Sequence, residues 1–83
     1  MDVRVRYFAG AKAAAGTAQE EVSAPAGATV ADLVTTLGAR HGAELSRVLT
    51  ACGFLLDGVA VRDRAAPLTE GAEVDVLPPF AGG

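Results

Sequence analysis

Few residues of this 83-residue sequence have a type and position suited to chemistry: one cysteine, Cys52, one histidine, His41, and a chain end that reads Gly82-Gly83. A single cysteine permits no intramolecular disulfide. With only one histidine beside it, a zinc site built from Cys and His is excluded too. The surrounding Thr50-Ala51-Cys52-Gly53-Phe54 holds no base or cation that would turn the thiol into a thiolate, so Cys52 reads as a small packing residue. His41 precedes Gly42 and follows Arg40, a pattern that suits the end of a helix. A general-base role would need a Ser, Cys or carboxylate placed to work with it, and the sequence places none. No Gly-rich phosphate loop is present.

The chain end is different. Pro78-Pro79-Phe80-Ala81-Gly82-Gly83 opens with two residues of fixed φ and closes with two that lack a Cβ, so stiffness gives way to slenderness within six residues. Fully extended, six residues reach roughly 20 Å, enough for the terminus to enter a partner's active site while a globular body docks outside. Glycine at both final positions leaves the last carbonyl open to attack from either side. A carboxylate is a poor electrophile, so chemistry at Gly83 requires activation, for instance as an acyl-adenylate made from ATP. A sulfur nucleophile would then give a C-terminal thiocarboxylate. The plainer alternative is a frayed terminus with no role.

The elements that would position this tail are legible from periodicity. Asp2-Val3-Arg4-Val5-Arg6-Tyr7 alternates with period two, which puts Val3, Val5 and Tyr7 on a buried face and Arg4 and Arg6 on the other. Gly10 to Gly16 is alanine-rich and reads as a connector of one or two helical turns. Glu20-Glu21-Val22-Ser23 suits a second strand. After the break at Pro25-Ala26-Gly27, Thr29 and Asp32 form a capping pattern for a helix whose apolar stripe is Val30, Leu33, Val34 and Leu37 and which ends near His41-Gly42. Leu45 to Leu49 suits a further short helical turn. Phe54 to Val61 reads as two strands joined at Asp57-Gly58, and Glu73 to Leu77 as the last strand, stopped by Pro78-Pro79. The order implies an α+β roll: a mixed sheet of four to five strands with one principal helix across it, spanning 1–77, followed by the tail 78–83. If the first and last strands are parallel neighbours, Arg4 and Arg6 lie near Glu73 and Asp75.

Length allows one domain only. Seven Lys and Arg against ten Asp and Glu give a formal charge of −3, which disfavours a nucleic-acid partner. No apolar run approaches the roughly 20 residues of a membrane span. The opening residues follow a strand pattern and not a secretory one, so a cytoplasmic protein is expected.

Taken together, Val3-Arg4-Val5-Arg6-Tyr7-Phe8-Ala9-Gly10, the Pro67-Leu68-Thr69-Glu70-Gly71 turn and the ending Val76-Leu77-Pro78-Pro79-Phe80-Ala81-Gly82-Gly83 resemble the small subunits of molybdopterin synthase. The resemblance spans the chain and is most specific at Pro-Pro-x-Ala-Gly-Gly. It implies a β-grasp fold related to ubiquitin and to the thiamin sulfur carrier. It also implies a Gly83 that is adenylated by an E1-like adenylyltransferase/sulfurtransferase using ATP, converted to a thiocarboxylate, and used by the large subunit of molybdopterin synthase to place sulfur on precursor Z. The chain would itself bind no cofactor. A donor for thiamin, cysteine or a specialised sulfur metabolite needs the same terminus, and a ubiquitin-like modifier would join Gly83 to lysines of target proteins.

Phe8 and Leu77 share the parity of Arg4, Arg6, Glu73 and Asp75, the face that is otherwise polar. If that face is exposed, they form an apolar patch where the tail begins, suited to docking. Twist at the strand ends would instead turn them into the core. Val61 joins them by the resemblance alone. The expected partner-binding residues are therefore Phe8, Val61, Leu77, Pro79, Phe80 and Ala81, with Gly82 and Gly83 as the reacting end.

Overall fold

The computed structural model describes residues 1–79. Five strands and three helices follow in the order β1 (Asp2–Tyr7), α1 (Ala9–Ala15), β2 (Gln19–Ser23), α2 (Val30–His41), α3 (Ala43–Leu49), β3 (Gly53–Leu56), β4 (Val59–Ala60) and β5 (Glu73–Leu77). They form one mixed sheet of strand order β2-β1-β5-β3-β4. The central pair β1 and β5 is parallel, with Arg4 opposite Glu73 and Arg6 opposite Asp75, and the remaining pairs are antiparallel. The parallel pairing of first and last strands, entertained above as a condition, is present.

Alternation sorts the side chains into two faces. Val3, Val5, Tyr7, Val22, Phe54, Val74 and Val76 point inward and are buried, together with Val30, Leu33 and Leu37 of α2 and Leu45 and Leu49 of α3. α2 forms because Thr29 and Asp32 cap it reciprocally: Asp32 N–H donates to Thr29 Oγ1 at 3.2 Å, and Thr29 N–H donates to Asp32 Oδ2 at 2.9 Å. Its stripe at i, i+3, i+4 and i+7 then lies against the sheet. α2 and α3 approach closely at Gly38, where a Cβ would collide with the Ser46 hydroxyl. At the Asp57-Gly58 turn both residues have positive φ, 49° and 83°, as a tight hairpin requires.

Four expectations change. The one or two helical turns closed by Gly16 are present as the seven-residue α1 (Ala9–Ala15; Gly16 φ 76°, ψ 10°), but Ala11 is fully buried, so the segment joins the core and is more than a connector. α3 starts two residues earlier than Leu45. Gly42 has positive φ (103°), but its ψ of −172° lies outside the left-handed helical region, since the chain passes directly into α3. The second strand of the hairpin stops at Ala60, so Val61 lies just beyond it.

Candidate functional site

Because β1 and β5 run in parallel, both finish at the same end of the sheet, and the tail leaves from there. β5 ends at Leu77 and is followed by half-buried Pro78 and exposed Pro79. Beside it, Phe8 continues the extended path of β1 (φ −126°, ψ 150°) and donates its N–H to the Val76 carbonyl at 3.3 Å. Ala9 then takes φ 49° and turns the chain into α1. Phe8 and Leu77 thus sit side by side on the outer face at the point of exit. Phe8 is 39% exposed and Leu77 half-buried, so neither joins the core. Opposite Leu77 on β3 stands Gly53, which puts no side chain over it.

Arg6 stabilises this corner. Its Nε donates to Asp75 Oδ1 at 2.7 Å and its second guanidinium nitrogen to Asp75 Oδ2 at 2.9 Å, a bidentate pair, while Glu73 lies 3.4 Å away. The same guanidinium stands 5.7 Å from the Phe8 ring centroid, a cation–π distance. The hydrogen bond to Asp75 is the main reason the Arg6 pKa rises further. Asp75 is only 6% exposed, so the outer face is less uniformly solvated than alternation suggests. Arg4 pairs with Glu21 at 3.6 Å and not with Glu73, because Arg6 already occupies the latter. Val61 is half-buried and packs against the core, so the structure does not bring it into the Phe8–Leu77 pair. Phe80, Ala81, Gly82 and Gly83 lie outside the described residues.

Among the described residues of this corner no nucleophile and base stand together; its partly exposed apolar side chains suit binding. The side chains that sequence reading set aside behave structurally. Cys52 is buried, its thiol donates to the Val48 carbonyl at 3.2 Å, and burial pushes its pKa up. His41 is more than a helix end. With Tyr7 and Arg40 it converges on Glu20: the Tyr7 hydroxyl donates at 2.6 Å and Arg40 at 2.8 Å, His41 Nε2 bonds the same carboxylate, and the His41 ring meets Tyr7 edge-on at 5.9 Å. Burial opposes the charge on Glu20, but the bonds from Tyr7, Arg40 and His41 outweigh it and lower its pKa. Burial, then the bond to Glu20, raises the Tyr7 phenol well above its ordinary range. This network was not legible because its partners are 13 to 21 residues apart. The parity of Tyr7 and the helix-end position of His41 were the only hints.

A polar cavity of about 360 Å³ lies at the opposite end of the sheet, lined by Asp2, Arg4, Glu21, Glu70 and Glu73 among others. Glu70 is occupied there in accepting the Asp2 N–H. Among the described residues no group of three or more His, Cys, Asp or Glu is arranged to hold a metal, and no helix is long and apolar enough to cross a membrane.

A five-stranded mixed sheet wrapped over one principal helix, with a parallel pair formed by its first and last strands, is a ubiquitin-like β-grasp domain. Residues 5–83 match the ThiS family, and the chain belongs to it. It is 36% identical over the full length of both chains to a molybdopterin synthase sulfur carrier subunit from Chlamydomonas reinhardtii. Among solved structures it is similar to SAMP1, a small archaeal modifier protein of Haloferax volcanii (TM-score 0.88, 27% identity, all of both chains). It also resembles a protein in the complex of subunits 1 and 2 of the molybdopterin-converting factor from Helicobacter pylori (TM-score 0.74, 25% identity, all of both chains).

Proposed function

We propose that this chain is a sulfur carrier of molybdenum-cofactor biosynthesis, the small subunit of a molybdopterin synthase, and that Gly83 is its reacting end. The carrying observation is the full-length likeness to a molybdopterin synthase sulfur carrier subunit, combined with a last strand that delivers Pro78 and Pro79 beside exposed Phe8 and half-buried Leu77. An E1-like enzyme joins the Gly83 carboxylate to AMP, releasing pyrophosphate. A sulfur donor then displaces AMP and leaves a thiocarboxylate. The body docks through Phe8 and Leu77 on the large synthase subunit, and the tail residues Pro79, Phe80 and Ala81 lead Gly82 and Gly83 into that subunit's site, where sulfur passes to precursor Z. The paired charges of Arg6, Asp75 and Glu73 suit a covered face, because none of them is left alone when water is expelled. The cytoplasm, where ATP is available, is the compartment this chemistry needs.

Intact mass after incubation with ATP, a cognate E1-like enzyme and a sulfur donor tests the terminus. The expected shift is that of one oxygen replaced by sulfur, absent from a variant lacking Gly83. No shift, with an activating enzyme proven on another carrier, would rule the reading out. The likeness to SAMP1 supports a second use of the same terminus, attachment to lysines of other proteins. An isopeptide-linked ladder in cell extracts, dependent on Gly83, would reveal it.

A further inference from the structure

Asp75 is out of keeping with its place. It lies on the outer face of β5, between half-buried Glu73 and Leu77, yet it is the one charged residue buried among those described. Arg6, opposite it on β1, covers it: the Arg6 side chain keeps 41% of its surface open and the Asp75 side chain 9%. Stability alone does not account for such a pair. An exposed ion pair contributes little, and a desolvated one is commonly matched by apolar residues of similar size.

The pair fixes a side chain in place. Bonds at 2.7 and 2.9 Å engage Nε and one terminal nitrogen of Arg6 together, so the guanidinium cannot turn without breaking both. Its central carbon stands 5.7 Å from the centroid of the Phe8 ring, two residues further along the same face. The Phe8 backbone is tied down from the other side, by its N–H bond to the Val76 carbonyl and by the turn at Ala9. Arg4, two residues before Arg6 on this face, shows the unlocked alternative. It makes a 3.6 Å contact with Glu21, both side chains are more than half exposed, and among the described residues no aromatic ring stands at cation–π distance.

We infer that Asp75 is a positioning residue for docking: it locks Arg6, and Arg6 holds the Phe8 ring in the orientation that meets the large synthase subunit. This rests on the docking through Phe8 and Leu77 proposed above. The partner touches the Phe8 ring, while Asp75, closed off beneath Arg6, offers it almost no surface. An effect of Asp75 on affinity therefore travels through Arg6. Two rotamer-rich side chains ordered in advance are two that association does not have to order, and leaving them free would weaken binding by about tenfold.

A double-mutant cycle on the full chain tests this, with affinity for the cognate large subunit read by calorimetry for the parent, Asp75→Asn, Phe8→Ala and the two combined. Asparagine keeps the size of Asp75 but cannot accept both guanidinium bonds. The expected result is a loss of about tenfold from Asp75→Asn in the parent. Where Phe8 is already Ala the loss should fall to about threefold or less, the share of Arg6 alone. In the free chain, nuclear Overhauser contacts between the Arg6 side chain and the Phe8 ring should be present in the parent and absent from Asp75→Asn. Where Asp75→Asn does not fold, Arg6→Thr with Asp75→Thr takes its place in the cycle, since that cross-strand pair suits the sheet and leaves no ring-holding cation. An equal loss in both backgrounds, no loss in the parent, or contacts that persist without the carboxylate overturn the positioning role while docking stands. Failure of the parent to bind the large subunit overturns the docking reading, and the positioning role with it.

Discussion

The two faces of the sheet are made from the same strands by alternation, yet they differ in what completes them. On the inner face Val3, Val5, Val22, Val74 and Val76 meet α2 and α3 and are closed to water within the chain. On the outer face Arg6, Glu73 and Asp75 satisfy one another, while Phe8 and Leu77 stay partly open beside the departing tail. The inner face is finished by folding. The outer face has its charges paired in advance and its apolar groups unmatched, the combination that leaves binding energy for another protein.

The comparison predicts opposite outcomes for substitutions of similar size. Leu37 is fully buried under the sheet, and Leu37→Ala removes methyl groups and leaves a cavity. A loss of about 3 kcal/mol is expected in urea unfolding, a large share of the stability of so small a domain. Phe8→Glu and Leu77→Glu are expected to change stability by less than about 1 kcal/mol but to weaken binding to the large synthase subunit by about 2 kcal/mol or more, read by calorimetry. If either variant instead loses cooperative unfolding, its side chain is core and the two faces are less distinct than described.

The polar network at Glu20 sharpens the contrast, because it gathers charge around the buried-face side chain of Tyr7. Its folded pKa lies below the unfolded value, near 4.5, so its contribution is present above that pH and is lost as pH falls through the lower folded pKa. Glu20→Gln is expected to cost on the order of 1 kcal/mol at neutral pH. It should also flatten the decline in stability below pH 4.5, measured by urea midpoints across the acid range. An unchanged acid slope would assign that decline to the outer-face carboxylates.

What the sequence disclosed follows interaction range. The capped helix from Thr29, the alternation of β1 and β5 and the turn at Asp57-Gly58 are local patterns of a few residues, and each is present. Arg6 near Asp75 was legible because parity and a single topological assumption fix it. The Tyr7–Glu20–His41–Arg40 convergence was not, since it depends on how α2 crosses the sheet. The same limit applied to Val61, whose half-buried side chain packs against the core. For the proposed site, the reading of Gly82 and Gly83 came from residue type and lies outside the described residues, while the Phe8–Leu77 corner needed the register to place the two side chains together.

The smallest expected effect lies where the faces meet. Ala9 has φ 49°, a left-handed conformation that costs a residue with a Cβ roughly 1–2 kcal/mol. The glycine that would accept it freely is one position later, at Gly10. This turn lets the outward Phe8 be followed at once by α1, which drops Ala11 into the core on the other side. Ala9→Gly should relieve the strain but enlarge the freedom of the unfolded chain, for a net gain of about 0.5 kcal/mol in urea unfolding. It should also loosen the hold on Phe8, so a slightly more stable variant is expected to bind the large subunit no better than the parent, or slightly worse. Gains in both stability and affinity would mean that the left-handed Ala9 contributes nothing to presenting Phe8, and that the outer face is set by its strands alone.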